Sequence, residues 1–164
     1  YSIVIFPITM AVHPQMMSLW NKSKHSDAIS ILKIAMLIQV LIFSSIWIAI
    51  NLFFEEISYI LLWIFSDLNP QYFHLLIPML VGGFIWQFAL LIHKPLELNK
   101  STHLMLFSIA IALIINLFGN IVLLPKYGLI ATAYTFILSG TFYIISSMII
   151  SNSFYKMFFK KSLL

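Results

Sequence analysis

The sequence contains no cysteine and no arginine, and only 9% of its residues are charged. Without cysteine the chain has no disulfide framework, no thiolate metal site and no thiol nucleophile. Soluble domains are about one quarter charged, and this chain falls far below that level. A soluble single-domain fold is therefore nearly excluded.

Motifs of common enzymes are also missing. The sequence has no Walker A loop and no G-x-G-x-x-G, H-E-x-x-H or G-x-S-x-G motif, and its five histidines are far apart along the chain. One acidic group is a candidate cation site, but acidic loops are common and we interpret it as a solvated surface. It comprises Glu55, Glu56, Asp67 and His74. We therefore expect no enzyme activity, no metal and no cofactor.

Long apolar runs occupy most of the chain, since 62% of the residues are hydrophobic. A helix needs roughly 20 apolar residues to cross the hydrocarbon core of a bilayer, and four runs reach that length. The predicted spans are 27–51, 71–92, 103–124 and 128–151. The other predicted segments are a partial helix at 1–12, an interfacial linker at 13–26, a short interfacial helix at 55–65 and a cytoplasmic tail at 152–164. The sequence thus predicts an all-α, multi-pass transmembrane helical bundle.

The first apolar run is too short to span a membrane by itself. It is followed by His13-Pro14 and an amphipathic stretch, so we expect the helix to end near residue 12. Tyr1 lies inside this run, without an initiator methionine or the parts of a signal peptide. We expect the chain to be part of a longer protein.

The lysines are distributed unequally between the two sides of the predicted bundle. If the C-terminal tail is cytoplasmic, eight lysines lie on the cytoplasmic side and only Lys126 lies outside. The eight are Lys22, Lys24, Lys33, Lys94, Lys100, Lys156, Lys160 and Lys161. Cytoplasmic loops of membrane proteins carry such an excess of positive charge. The pattern indicates membrane topology, so we expect no nucleic acid as a partner.

Two neighbouring spans form a predicted hairpin around a turn at 125–128. Small or polar residues recur every four positions on the first arm and again on the second, so each arm has one small or polar face. They are Ser108, Ala112, Asn116 and Asn120, followed by Ala131, Thr135 and Ser139. We expect these two faces to meet.

Four amide side chains lie within the predicted spans, namely Gln39, Gln87, Asn116 and Asn120. A polar group that faces lipid is costly, so such groups usually face the interior of a bundle. Asn116 and Asn120 lie one helical turn apart, and both can point into a shared space. Two interpretations remain open: interhelical hydrogen bonds, or the lining of a substrate cavity.

The hairpin resembles a known family. Its sequence reads N-L-F-G-N-I-V-L-L-P-K-Y-G-L-I-A-T-A from Asn116, with Ser139 in register. This is similar to the N-x-x-x-N, P-K-Y-G, G-A-A and A-T pattern of polysaccharide flippases in the multidrug/oligosaccharidyl-lipid/polysaccharide exporter superfamily. The chain departs from that pattern at 131, 132 and 135–136, which suggests a looser helix contact. The similarity covers nearly the whole chain, but only 116–139 is motif-like.

The resemblance implies a bacterial cytoplasmic-membrane transporter with two six-helix lobes and a cytoplasmic C-terminus. This chain would be part of the C-terminal lobe, and the remaining helices would be its partners together with membrane lipids. The implied substrate is an undecaprenyl-pyrophosphate-linked oligosaccharide, a unit for O-antigen, capsule or exopolysaccharide synthesis. Such a transporter has a central hydrophilic cavity, and the four amides named above are our candidates for lining it.

Other functions remain open. One is a multidrug exporter, or an exporter of another lipid-linked precursor, from the same superfamily; a drug exporter should carry a mid-membrane carboxylate. Another is a membrane-embedded glycosyltransferase or glycan polymerase, which should carry a large outer loop with charged clusters. A third is a non-catalytic membrane subunit.

The lysine distribution makes a topological prediction. A reporter placed after Leu164 should give a cytoplasmic signal, and one inserted near Lys126 should give an exterior signal, because four spans separate lysine-rich from lysine-poor loops. Fusions to alkaline phosphatase and green fluorescent protein measure this. Both reporters on one side would contradict the number of spans.

Overall fold

Helices make up nearly all of the structure. The computed structural model describes residues 2–65 and 69–160, and within these ranges it contains no β-strand. The helices are α1 Ser2–Asn21, α2 His25–Leu52, α3 Phe54–Ile64, α4 Leu76–Ile92, α5 Lys94–Leu98, α6 Thr102–Tyr127, α7 Leu129–Ile150 and α8 Asn152–Lys160. A 3₁₀ turn at Pro70–Leu75 precedes α4. The predicted all-α class is confirmed.

Four helical segments are long and apolar enough to cross a membrane. They are His25–Leu52, Pro70–Leu98, Thr102–Tyr127 and Leu129–Ile150. Large apolar side chains on α6, such as Leu113, Leu117 and Phe118, are more than half exposed. An apolar exterior of this extent suits lipid rather than water. The structure therefore agrees with a multi-pass bundle embedded in a membrane.

Helix α1 is longer than the sequence predicts. The expected break at His13-Pro14, between the segments 1–12 and 13–26, does not occur, and α1 continues to Asn21. Proline in a helix removes one backbone hydrogen bond, but Val12 and Met16 on either side are buried in a core shared with α2. Packing on both sides of the proline keeps the helix continuous.

The turn between α6 and α7 is shorter than the predicted turn at 125–128. Helix α6 continues through Pro125 and ends at Tyr127. Pro125 removes one bond of the last helical turn, but the Gly128 N–H still closes the helix by donating to the Leu124 carbonyl oxygen at 2.9 Å. Gly128 has φ 69° and ψ −160°, a conformation that residues with a Cβ rarely adopt. A single glycine therefore makes the turn.

The remaining helices lie close in sequence to the other predicted segments. The bounds of α2 and α7 differ by one or two residues from 27–51 and 128–151, and α3 corresponds to the short helix predicted at 55–65. The span predicted at 71–92 begins as the 3₁₀ turn and becomes helical only from Leu76.

The predicted tail at 152–164 contains a helix, α8, up to residue 160. Phe154 and Tyr155 are buried, whereas Asn152 and Lys156 are exposed. Residues 161–164 lie outside the described residues, as does Asp67 of the acidic group.

Helices α6 and α7 pack through their small faces, as predicted. Ser108 and Ala112 are buried on α6, and Ala131, Thr135 and Ser139 are buried on α7. Small side chains let two backbones approach closely, which supplies van der Waals contact where lipid offers no hydrophobic driving force between helices. The hairpin is therefore a packed unit.

Helix α4 packs against another face of α7. The indole N–H of Trp86 donates to the Phe136 carbonyl oxygen at 3.1 Å, and the Trp86 ring stacks on the Phe136 ring at a centroid distance of 5.6 Å. A methyl group on Gly82 would lie 2.5 Å from a ring carbon of Phe136. The close approach of the two helices requires the absence of a side chain at position 82.

Gly82 and the adjacent Gly83 allow a matched test. Gly82→Ala should destabilise the chain by about 1–2 kcal/mol, because overpacking costs about 1–3 kcal/mol and the better helix propensity of alanine offsets up to about 1. Gly83→Ala should keep or raise stability, since a methyl group there meets no described atom within 4 Å. Thermal unfolding in detergent measures both. Equal effects would contradict the packing described here.

Candidate functional site

The carboxylate of Glu97 contacts three basic side chains at one end of the bundle. Lys94 Nζ lies 2.8 Å from Glu97 Oε2, and His93 Nε2 lies 2.9 Å from Glu97 Oε1. His13 Nδ1 lies 2.8 Å from Glu97 Oε2. The side chains of His93, Lys94 and Glu97 are 6%, 10% and 19% exposed. These four residues, with Tyr143 described below, form the Glu97 network.

Local sequence brings three members of the network together. Helix α4 ends at Ile92, and α5 begins directly at Lys94 with Pro95 in its first turn, where a missing N–H has no cost. The spacing from His93 and Lys94 to Glu97 is four and three residues, so all three side chains share one helical face. This short helix thus positions its carboxylate beside both basic groups.

His13 reaches the network from α1. Because α1 continues through Pro14, His13 is held inside a regular helix whose neighbours Val12 and Met16 are fixed in the core. Its Nδ1 lies 2.8 Å from Glu97 Oε2 and 3.3 Å from Lys94 Nζ. A carboxylate only accepts hydrogen bonds, so the shorter contact requires a proton on Nδ1 of His13. His13 therefore ties α1 to α5.

Tyr143 joins the network from α7. Its hydroxyl oxygen lies 2.8 Å from His93 Nδ1, while His93 Nε2 faces Glu97. A neutral imidazole with its proton on Nε2 satisfies both contacts, accepting from the Tyr143 O–H and donating to the Glu97 carboxylate. Both ring nitrogens of this buried histidine are therefore paired. The network connects α1, α5 and α7 around the end of α4.

Charge balance stabilises the network. The positive charge of Lys94 offsets the negative charge of Glu97, and the ring nitrogens of the two histidines lie within hydrogen-bond distance of the same carboxylate. A buried charge without its partner costs several kcal/mol, whereas a well-paired one costs little. The ion pair itself lies within α5, and the contacts of His13 and Tyr143 join it to α1 and α7.

A groove of about 620 Å³ opens beside the Glu97 network. Its walls are mostly apolar, and its polar end is formed by network residues and two threonines. The lining residues are Phe6, Thr9, Met10, His13, Met17, Leu90, His93, Lys94, Glu97, Thr102 and Met105. Within the described ranges no cluster of acidic and histidine side chains has the arrangement of a metal site. The groove offers an apolar surface next to paired charges.

Asn116 and Asn120 are brought together by the structure. Both are half-buried, and Asn120 Nδ2 donates to the Asn116 carbonyl oxygen at 2.8 Å and to Asn116 Oδ1 at 3.2 Å. Asn116 Nδ2 donates across the helix interface to Ser139 Oγ at 3.5 Å. The pair therefore bonds within α6 and reaches α7. The side-chain oxygen of Asn120 is buried without a hydrogen bond to the described chain.

The two glutamines lie on other helices. Gln39 is 1% exposed on α2, and Gln87 is half-buried on α4 with no partner for its side-chain oxygen in the described part of the chain. None of the four amides lines the groove beside Glu97. The predicted cavity residues thus lie in other parts of the fold than the Glu97 network.

The sequence does not predict the Glu97 network. The histidines are separated in sequence, but His13 and His93 both contact Glu97 in the structure. The H-K-P-L-E spacing at 93–97 is a local signal that indicates three of the members. The contribution of His13 has no such signal, because it depends on how α1 packs.

Comparisons of the chain with known proteins gave no match to a family, to a curated protein or to a solved structure. What the fold and the site define is a class: a helical membrane protein with four candidate spans and a buried ionic network at one end.

Glu97→Gln tests the network. The substitution keeps the shape but leaves Lys94 without a buried counter-charge, so we expect a loss of about 3 kcal/mol of stability. Lys94→Met combined with Glu97→Gln should recover part of the loss, and Glu56→Gln, which is exposed on α3, should change stability by less than about 0.5 kcal/mol. Thermal unfolding in detergent measures all four proteins. A double variant less stable than Glu97→Gln alone would argue against charge pairing.

Proposed function

We propose that this chain is part of a bacterial flippase that moves undecaprenyl-pyrophosphate-linked oligosaccharide across the cytoplasmic membrane. The product would serve O-antigen, capsule or exopolysaccharide synthesis. The observation that carries the proposal is the α6–α7 hairpin, in which the N-x-x-x-N and P-K-Y-G sequence is similar to that of such transporters. Asn116 and Ser139, two positions of that pattern, lie in hydrogen-bond contact.

The distribution of charge supports a transporter with a defined orientation. The ends of α1, α5 and α7 lie at the same end of the bundle, because the Glu97 network and α8 join them. The described lysines of this end are Lys22, Lys24, Lys33, Lys94, Lys100 and Lys156, whereas the opposite end has Lys126 with Glu55 and Glu56. We take the lysine-rich end to face the cytoplasm.

Transport suits the chemistry of the buried polar groups better than catalysis does. The amides of Asn116 and Asn120 donate and accept hydrogen bonds without changing charge, and the Asn120 side-chain oxygen has capacity for a further donor. Sugar hydroxyls are donors and acceptors of the same kind. In a two-lobed transporter these amides would line the side of the cavity formed by α6.

Replacing both asparagines tests the proposal. Asn116→Leu with Asn120→Leu should lower export of repeat units at least tenfold per folded molecule, because leucine keeps the bulk and removes the donors and acceptors. Export is measured in the source bacterium after deletion of its own gene and return of the wild-type or variant gene. Protein abundance and thermal stability are measured in parallel.

Ser139→Ala is the matched control. It removes the hydrogen bond between α6 and α7 and leaves both amides in place. We expect it to lower stability by less than about 1 kcal/mol and to leave export per folded molecule unchanged. If the double leucine variant behaved like Ser139→Ala, the asparagines would be packing residues and not cavity residues.

A further inference from the structure

Helix α8 is fixed across the lysine-rich end of the bundle. The Tyr155 hydroxyl donates to the Ile92 carbonyl oxygen at 2.6 Å, and burial raises the pKa of Tyr155 above its ordinary value, so the phenol stays a donor. Phe154 is buried and lies 5.6 Å from the Trp20 ring, centroid to centroid. Lys33 Nζ lies 4.7 Å from the centre of the Phe158 ring. One face of α8 is thus held by α1, α2 and α4.

A second groove, of about 540 Å³, lies where α7 passes into α8. Met148 and Ile149, in the last turn of α7, form its apolar part. Asn152 and Lys156, four residues apart on one face of α8, form its polar part, and Tyr155 completes the lining. Because the candidate span ends at Ile150, the polar part lies at the depth of lipid headgroups and the apolar part at the depth of acyl chains.

The charge in this groove is not neutralised by the protein. Lys156 is exposed and forms no ion pair with any described residue, whereas the lysine beside the other groove, Lys94, is paired with Glu97. The described side chains of this end include six lysines but only two carboxylates, Asp27 and Glu97. The surroundings therefore favour an anion at Lys156.

We propose that the α7–α8 groove binds one anionic phospholipid. The lipid phosphate accepts from the Lys156 ammonium and the Asn152 amide, and an acyl chain lies along Met148 and Ile149. A free phosphate would use only the polar part of the groove. A zwitterionic lipid would place a second cation next to Lys156. The arrangement of one unpaired cation above an apolar wall fits a lipid with a net negative charge.

Lipid titration of the purified 164-residue chain, followed by native mass spectrometry, tests the proposal. The probes are phosphatidylglycerol and phosphatidylcholine with the same acyl chains. Wild type should bind one phosphatidylglycerol more tightly than phosphatidylcholine. Lys156→Gln should weaken phosphatidylglycerol binding about fivefold, which corresponds to about 1 kcal/mol for one lysine at an anionic surface, and should leave phosphatidylcholine binding unchanged.

Two further variants distinguish binding in the α7–α8 groove from a general attraction of anionic lipid to the lysine-rich end. Lys24→Gln removes an exposed charge at the same end of the bundle but outside the groove, and should weaken binding less than twofold. Ile149→Trp fills the apolar part at a position that is 69% exposed, and should weaken both lipids. Equal losses from Lys156→Gln and Lys24→Gln would overturn the proposal. So would displacement of the lipid by millimolar glycerol phosphate, because the site would then recognise phosphate alone.

Discussion

Most of this structure follows from one constraint, that backbone polar groups inside lipid must find their partners within the protein. An α-helix meets that requirement within a single segment, which is why four apolar runs become long helices. The constraint also explains why Pro7, Pro14 and Pro125 do not end their helices. Pro14 and Pro125 each remove one hydrogen bond, and ending the helix there would have left several more groups unpaired. Helices therefore end at the edges of the apolar region, at 22–24 and at Gly128.

The same constraint separates two kinds of contact between helices. Along the spans, α4, α6 and α7 approach through small residues and uncharged hydrogen bonds such as Trp86 to Phe136. At the lysine-rich end, contact runs through the Glu97 carboxylate, which accepts from His13 of α1 and from Lys94 of its own helix. Uncharged bonds cost little to bury, whereas the ion pair is tolerated because its partners are fixed on adjacent turns. The helices thus pack closely along the spans, and the Glu97 network joins them at one end.

The sequence predicted the features that depend on local composition. Run lengths predicted the spans, and four-residue spacing predicted that the faces with Ser108 and Ser139 would meet. The sequence did not predict the continuity of α1, because the packing of Val12 and Met16 on α2 decides it. It did not predict the convergence of His13 and His93 on Glu97 for the same reason. The sequence did not predict α8, because the contacts that hold its apolar face involve Ile92 and Trp20, which lie far away in sequence.

The turn at Gly128 and the Glu97 network join parts of the chain that lie at very different separations in sequence. The glycine turn joins two adjacent helices, so α6 and α7 can pair as soon as both have entered the membrane. The contact between His13 and Glu97 joins residues 84 positions apart (97 − 13), and it requires α2 to α5 to be in place first. Loop closure of that length adds an entropic penalty that neighbouring helices do not have. The two pairs of adjacent helices, α1 with α2 and α6 with α7, should therefore form before the Glu97 network that joins α1 to α5.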